Sequence, residues 1–96
     1  MDLRAGRTRE RPRITSLQLP GGTRVVASIG GTRCGVTSVR RTGSYSGFSL
    51  DIAGPDAVPG CTRGGTITFR VGGRRALDTA VNDPGSSGTL DLTVPP

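Results

Sequence analysis

The chain has 96 residues, the length of a single domain, and no stretch approaches the roughly 18 apolar residues that a membrane-spanning helix needs. Its formal net charge is +6, and all 13 basic residues are Arg, because the chain contains neither Lys nor His. Without His a Ser–His or Cys–His nucleophile pair cannot form, and two Cys are too few for a zinc or iron–sulfur site within one chain.

Residues 1–13 are predicted to form a flexible arm or linker that precedes the folded domain. This segment holds half of the net charge and almost no apolar side chains. Two interpretations remain open for it: a solvated segment, or a basic segment that contacts a polyanion. Its arginines are Arg4, Arg7, Arg9, Arg11 and Arg13. The segment lacks the apolar stretch of a secretory signal, so we expect any export signal to lie elsewhere, on a longer precursor or on a different true start.

From residue 14 onward, apolar and polar residues alternate with the period of two that is typical of half-buried strands. The candidate strands are RITSLQL, RVVASI, CGVTSVR, GFSLDI, TITFRV, ALDTAV and TLDLTV, which begin at residues 13, 24, 34, 47, 66, 76 and 89. RVVASI is apolar on both faces, which favours a central position in a sheet. No helix is expected, because no long window free of Gly and Pro has a helical period.

Segments rich in Gly and Pro separate these candidates, among them PGG at 20–22, GPDAVPG at 54–60 and NDPGSSG at 82–88. Gly adopts the positive φ of a tight hairpin without a steric penalty. Short strands with turn signals between them predict an all-β fold. We expect an antiparallel β-sandwich of about seven short strands, formed as one domain by residues 14–96.

The segment IGGTRCGV at residues 29–36 allows three interpretations: a phosphate-binding loop, a hairpin turn, or a segment whose important residue is Cys34. A phosphate loop needs a helix after its glycines, and here the strand pattern VTSV follows. The Lys of such loops is also missing. The pattern therefore favours the hairpin turn.

Cys34 and Cys61 each lie at the entrance to a candidate strand. Two alternatives are open: buried free thiols in a cytosolic protein, or a disulfide. A bridge would close a loop of about 28 residues and contribute roughly 3 kcal/mol by the chain-entropy estimate. That is a large part of the roughly 5–15 kcal/mol that stabilises a small protein. We favour the disulfide, which implies an oxidising compartment.

No catalytic, metal-binding or cofactor-binding group is expected. The Asp residues lack the spacing of a calcium loop, no pair of acids is close enough to separate their pKa values, and Tyr45 has no activating neighbour. We therefore expect a protein that is not an enzyme and that needs no metal or cofactor.

Four segments carry a resemblance to a known family: VVASIGGTRCGV, GSYSGFSLDI, VPGCTRGGTITFRVGGRRA and GTLDLTV, together covering roughly residues 23 to 94. The pattern is a Gly turn with Cys-Gly, a Gly-x-Tyr strand, a Pro-Gly-Cys loop, and a closing strand. In this it resembles bacterial cell-surface β-sandwich modules of the transthyretin-like, carboxypeptidase-regulatory-like type. The resemblance implies a bridge between Cys34 and Cys61 and a non-catalytic extracellular module. It supplies no catalytic residues, and the first strand, RITSLQL, is shorter than the family pattern.

Three functions are hypotheses at this point. The first is a structural or interaction module of a longer secreted or surface protein, with a neighbouring domain or another protein as partner. The second is polyanion binding, to nucleic acid or an anionic polysaccharide, by the arm and by two doublets at strand ends. These doublets are Arg40 with Arg41 and Arg74 with Arg75. The third is self-assembly through a sheet edge left open by the short first strand.

Overall fold

The computed structural model describes residues 1–4, 21–42, 45–90 and 92–94. These residues contain nine strands and no helix. The strands are β1 (Asp2–Arg4), β2 (Arg24–Ile29), β3 (Thr32–Ser38), β4 (Arg40–Thr42), β5 (Tyr45–Gly47), β6 (Ser49–Asp51), β7 (Thr66–Val71), β8 (Arg74–Val81) and β9 (Ser87–Thr89). The all-β prediction is confirmed for this part of the chain. Strands β2 and β7 coincide with the predicted RVVASI and TITFRV.

Four strands form an antiparallel sheet in the order β3-β2-β7-β8. β2 occupies an inner position, which confirms the prediction drawn from its apolar residues. Every second side chain of β2 and β7 is buried, and these side chains form one face of the sheet. We call this the inner face. Its buried residues on the two strands are Val25, Ala27, Ile29, Ile67, Phe69 and Val71.

Two-residue glycine turns close the hairpins of this sheet. Gly30 and Gly31, between β2 and β3, have φ values of 54° and 87°. Gly72 and Gly73, between β7 and β8, have φ values of 59° and 83°. Positive φ at both central residues defines the type I′ turn, whose twist matches that of the flanking strands. The hairpin interpretation of IGGTRCGV is therefore confirmed.

A second sheet has the order β6-β1-β9. β1 is antiparallel to β6 and parallel to β9, which differs from the wholly antiparallel arrangement expected from the sequence. The amino group of Met1 donates to the Ile52 carbonyl at 2.8 Å, and the Ile52 N–H donates to the Met1 carbonyl. Residues 2–4, which the sequence assigned to a flexible arm, thus lie in a sheet. The rest of that arm, the boundary between residues 13 and 14, and the candidate strand RITSLQL lie outside the described residues.

A third, two-stranded sheet pairs β4 with β5. The described residues thus contain more strands than the seven that were predicted, and five of the nine have only three residues. The predicted closing strand TLDLTV is also different, because β9 ends at Thr89. Leu92 and Val94 are nevertheless buried, as its alternation indicated. The segment lies beside β8, where the Leu77 N–H donates to the Thr93 carbonyl at 2.9 Å.

The core forms between the inner face of the four-stranded sheet and the two segments around residues 48–52 and 92–94. The buried residues outside β2 and β7 are Cys34, Val39, Phe48, Leu50, Ile52, Cys61, Ala76, Leu92 and Val94. Met1 is partly buried against the same cluster. The faces that alternation predicted to be apolar in GFSLDI and TITFRV are therefore the faces that meet in the core.

Candidate functional site: a buried disulfide and an arginine cluster

The disulfide joins strand β3 to the long loop between β6 and β7. Ala27 pairs with Gly35 and Ser28 with Arg33, so Cys34 is the extra residue of a β-bulge. The Cys34–Cys61 bridge has an S–S distance of 2.04 Å and a Cα–Cα distance of 5.8 Å, which lies within the usual range. Both residues are buried, Cys61 completely. The predicted disulfide is therefore present, and it lies inside the core.

Asn82 fixes the loop that carries Cys61, a role that sequence reasoning missed. Its side chain is 1% exposed, and its Nδ2 donates to the carbonyls of Cys61 at 3.1 Å, Ala53 at 3.2 Å and Thr62 at 3.3 Å. Its own backbone continues the ladder beyond β8, because its N–H donates to the Gly65 carbonyl. The Asn82 Oδ1 is buried and has no hydrogen-bond partner among the described residues. In the sequence, NDPG looks like a simple turn, which concealed this side chain.

The structure brings the two predicted arginine doublets to the same end of the four-stranded sheet. Arg24, at the start of β2, pairs with Ser38, which lies two residues before Arg40. On the other side of β2, the Gly72 N–H donates to the Arg24 carbonyl at 2.9 Å. Arg74 and Arg75 follow this turn directly. Arg24 therefore lies between the two doublets and joins them.

Arg70 adds a further charge at this end. It lies directly opposite Arg75 across the β7–β8 ladder, and its Nη1 donates to the Gly73 carbonyl at 3.2 Å. We define the arginine cluster by four exposed residues, namely Arg24, Arg40, Arg70 and Arg75. Arg41 is in β4, but its side chain is outside the described part. The same holds for Arg4 in β1, while Arg7, Arg9, Arg11 and Arg13 lie wholly outside it.

Four acidic residues of the described part lie in β6, in the loop held by the disulfide, and in or after β8. Asp83 follows the far end of β8, where it forms an exposed ion pair with Arg63 at 3.6 Å. Asp56 is in the loop held by the disulfide, and Asp51 is in β6 beside Gly35. Asp78, in β8, accepts a hydrogen bond from the Thr93 N–H. Arg63 therefore has a carboxylate partner, and Asp78 is engaged with the backbone of the segment beside β8.

Within the described residues, no three or more Cys, Asp, Glu or His side chains converge in a way that could hold a metal ion. No described helix has the length and apolar character needed to cross a membrane.

Comparison of the chain with protein-family models, with curated proteins and with solved structures found no match. The resemblance to transthyretin-like modules consequently remains a prediction that depends on the residues alone.

Proposed function

We propose that this chain is a non-catalytic structural or interaction module of a longer secreted or surface protein. We further propose that its sheets form a β-sandwich of the transthyretin-like type. The observation that carries the proposal is the buried Cys34–Cys61 disulfide. Disulfides form and persist in oxidising compartments and are rare in the cytosol, so a core disulfide favours an extracellular location.

The size of the domain supports a structural role for this bond. Small domains bury a limited part of their surface, so a covalent link between distant segments contributes a large share of their stability. The bridge spans 27 residues of sequence, and closing such a loop is worth roughly 3 kcal/mol in the chain-entropy model. The loop it holds contains little regular structure, so the bond and Asn82 supply order that a strand ladder would otherwise supply.

The proposed sandwich is supported by the contact between β3 and β6. Leu50 is 1% exposed, and its Cδ1 lies 3.0 Å from the position that a Cβ on Gly35 would take. Gly35 is on the inner face, because it pairs with the buried Ala27. β3 and β6 are both end strands of their sheets, and the Ala53 N–H donates to the Cys34 carbonyl at 2.9 Å, so the two sheets meet there backbone to backbone. Leu50 of β6 thereby enters the core that the two sheets share. Nuclear Overhauser effects between the Gly35 Hα protons and the Leu50 methyl groups test this packing, and their absence would contradict it.

The non-catalytic part of the proposal depends on the chemistry that the chain offers. The sequence contains no His that could act as a general base near neutral pH. The two described carboxylates with close partners are engaged in structural contacts, Asp83 with Arg63 and Asp78 with the Thr93 backbone. These two carboxylates therefore support the fold. A binding or structural role is the function that we propose on this basis.

The experiment is a count of free thiols on the folded full chain after expression in an oxidising host. Intact mass after alkylation, with and without prior reduction, should show alkylation only after reduction. A Cys34→Ser/Cys61→Ser double variant is the matched control, because it keeps the side-chain size and removes the bond. We expect its free energy of unfolding to be lower by about 3 kcal/mol. Two alkylated thiols on folded chain from the oxidising host would overturn the proposal.

A further inference from the structure

We propose that the arginine cluster is a binding site for a linear sulfated polysaccharide. The inference deepens the interaction role proposed above and rests on its extracellular location. The site has a defined place in the fold, at the end of the four-stranded sheet that contains the turn between β7 and β8.

Strand register places three members of the cluster on the outer face, opposite the core. Arg70 and Arg75 are direct cross-strand partners, and Arg70 lies between the buried Phe69 and Val71, so its side chain points away from the core. Val25 pairs with Val71, which places Arg24 diagonally from Arg70 on the same face. Direct partners lie about 5 Å apart and diagonal neighbours about 7–8 Å. Three guanidinium groups are thus held on adjacent strands within reach of a single extended anion.

Two members of the arginine cluster repel each other and lower the stability of the domain when no ligand is bound. Like charges placed directly opposite each other on a sheet are destabilising, and Arg70 faces Arg75 in this way. Arg63, by contrast, has Asp83 as its partner. A bound polyanion would place opposite charge beside Arg70 and Arg75 and so relieve this repulsion.

The chemistry of the site fits sulfate groups carried by a flexible chain. The guanidinium group presents donors in a planar fork, which matches the oxygens of sulfate or phosphate in a bidentate contact. The Arg70 Nη1 donates to the Gly73 carbonyl, which holds this side chain along the turn and leaves other donors of the guanidinium available. Such a surface binds a ligand according to the density and spacing of the ligand's negative charges.

Two observations favour a polysaccharide over a nucleic acid. Binding of single strands and loops of nucleic acid relies on aromatic side chains that stack on bases, and the two Phe residues of the chain are buried in the core. The buried disulfide favours an extracellular location, where sulfated polysaccharides are accessible ligands. Duplex DNA carries phosphate charge and can be bound without such stacking, so it is the comparison ligand in the test.

The experiment measures binding of heparin to the full chain at two salt concentrations. The test variant is Arg70→Ser/Arg75→Ser, and the matched control is Arg33→Ser/Arg63→Ser, which removes the same charge from exposed arginines at the opposite end of the sheet. We expect the test variant to lose about tenfold in affinity at low salt and to reduce the slope of log K against log salt by between about 1 and 2. The control should stay within about twofold, because its groups are distant and surface charge is screened.

Three results would overturn the inference. These are no heparin binding by the unmodified chain at low salt, an equal loss of affinity in both double variants, and tighter binding of duplex DNA than of heparin through the same two arginines. Thermal unfolding of each variant establishes that it is folded, and the test variant should be no less stable than the unmodified chain. The thiol count is independent of this test. If heparin binding fails while the disulfide is intact, the proposed ligand is wrong and the proposed structural module still stands.

Discussion

Gly35 lies so close to Asp51 that a Cβ on Gly35 would stand 2.5 Å from the Asp51 carbonyl oxygen. The contact is between backbones of different sheets, so neither side can move away as a flexible side chain could. The layers around the core can approach this closely because residue 35 has no side chain.

We therefore expect Gly35→Ala to destabilise the fold by about 1–3 kcal/mol, since the added methyl group forces β3 and β6 apart. Chemical denaturation of the full chain measures the change in the free energy of unfolding. Gly88→Ala is the matched control, because a Cβ at Gly88 meets nothing within 4 Å and its φ is not in the left-handed region. Equal stability of the Gly35→Ala variant and the unmodified chain would contradict the packing of β6 on β3.

A second prediction concerns Asn82. Asn82→Asp replaces the Nδ2 that donates to three carbonyls with an oxygen, in a side chain that is 1% exposed. Burial among carbonyls would raise the pKa of the new carboxyl above its unfolded value of about 3.9. The protonated form keeps one donor, so the variant should be closest to the unmodified chain below about pH 4, and the stability should fall as the pH rises through the folded pKa.

Unfolding measured at pH 4 and pH 8 checks this, with the unmodified chain as the reference at each pH. An unpaired buried charge costs about 3–5 kcal/mol, so the stability gap between the two proteins should widen by an amount of that order towards pH 8. A gap that is the same at both values would mean that the side chain of residue 82 is solvated, and Asn82 would then not anchor the loop.

A third prediction concerns residues 1–4, which the sequence assigned to a flexible arm and the structure places at the second sheet. Deleting residues 1–4 removes β1, which lies between β6 and β9, and leaves the Ile52 N–H and carbonyl without their Met1 partners. It also removes the partly buried Met1 from the core cluster. Unpaired backbone groups cost about 1–3 kcal/mol each where they remain buried, so the shortened chain should unfold at clearly lower denaturant concentration. Coinciding unfolding curves would restore the original interpretation of this segment.

The sequence predicted best those strands whose buried side chains alternate over a full six residues. Phe69 and its neighbours in TITFRV illustrate this, because the period of two continues long enough to separate the two faces. β1 could not be found in this way: it has three residues, and its partners β6 and β9 are remote in sequence. The position of so short a strand is determined by its pairing with distant segments, which local alternation does not encode.

Part of the candidate site was also predictable from the sequence. Cys34 and Cys61 are the only two cysteines, so their pairing needed no geometry. The arginine doublets were visible as doublets, but their convergence depends on the register of β2 against β3 and β7, and on Arg24 and Arg70, which are isolated in the sequence. Asn82 was missed because Asn before Asp-Pro-Gly is an ordinary turn residue.

The last prediction links Asn82 to the disulfide. Both cysteines are buried, so a reductant can reach the sulfur atoms only after the structure opens. Asn82 donates to the Cys61 carbonyl itself, and its loss should allow the loop of residues 53–65 to open while the sheets stay folded. We therefore expect Asn82→Ala to speed native-state reduction by about tenfold for each 1.4 kcal/mol of lost local stability. The rate of thiol release without denaturant, followed with a chromogenic thiol reagent, measures this.

Phe69→Leu is the control, because it weakens the core globally by about 1–2 kcal/mol and removes no hydrogen bond to the loop. If both variants accelerate reduction in proportion to their global destabilisation, the bond is reached only through complete unfolding, and Asn82 has no local role in protecting it.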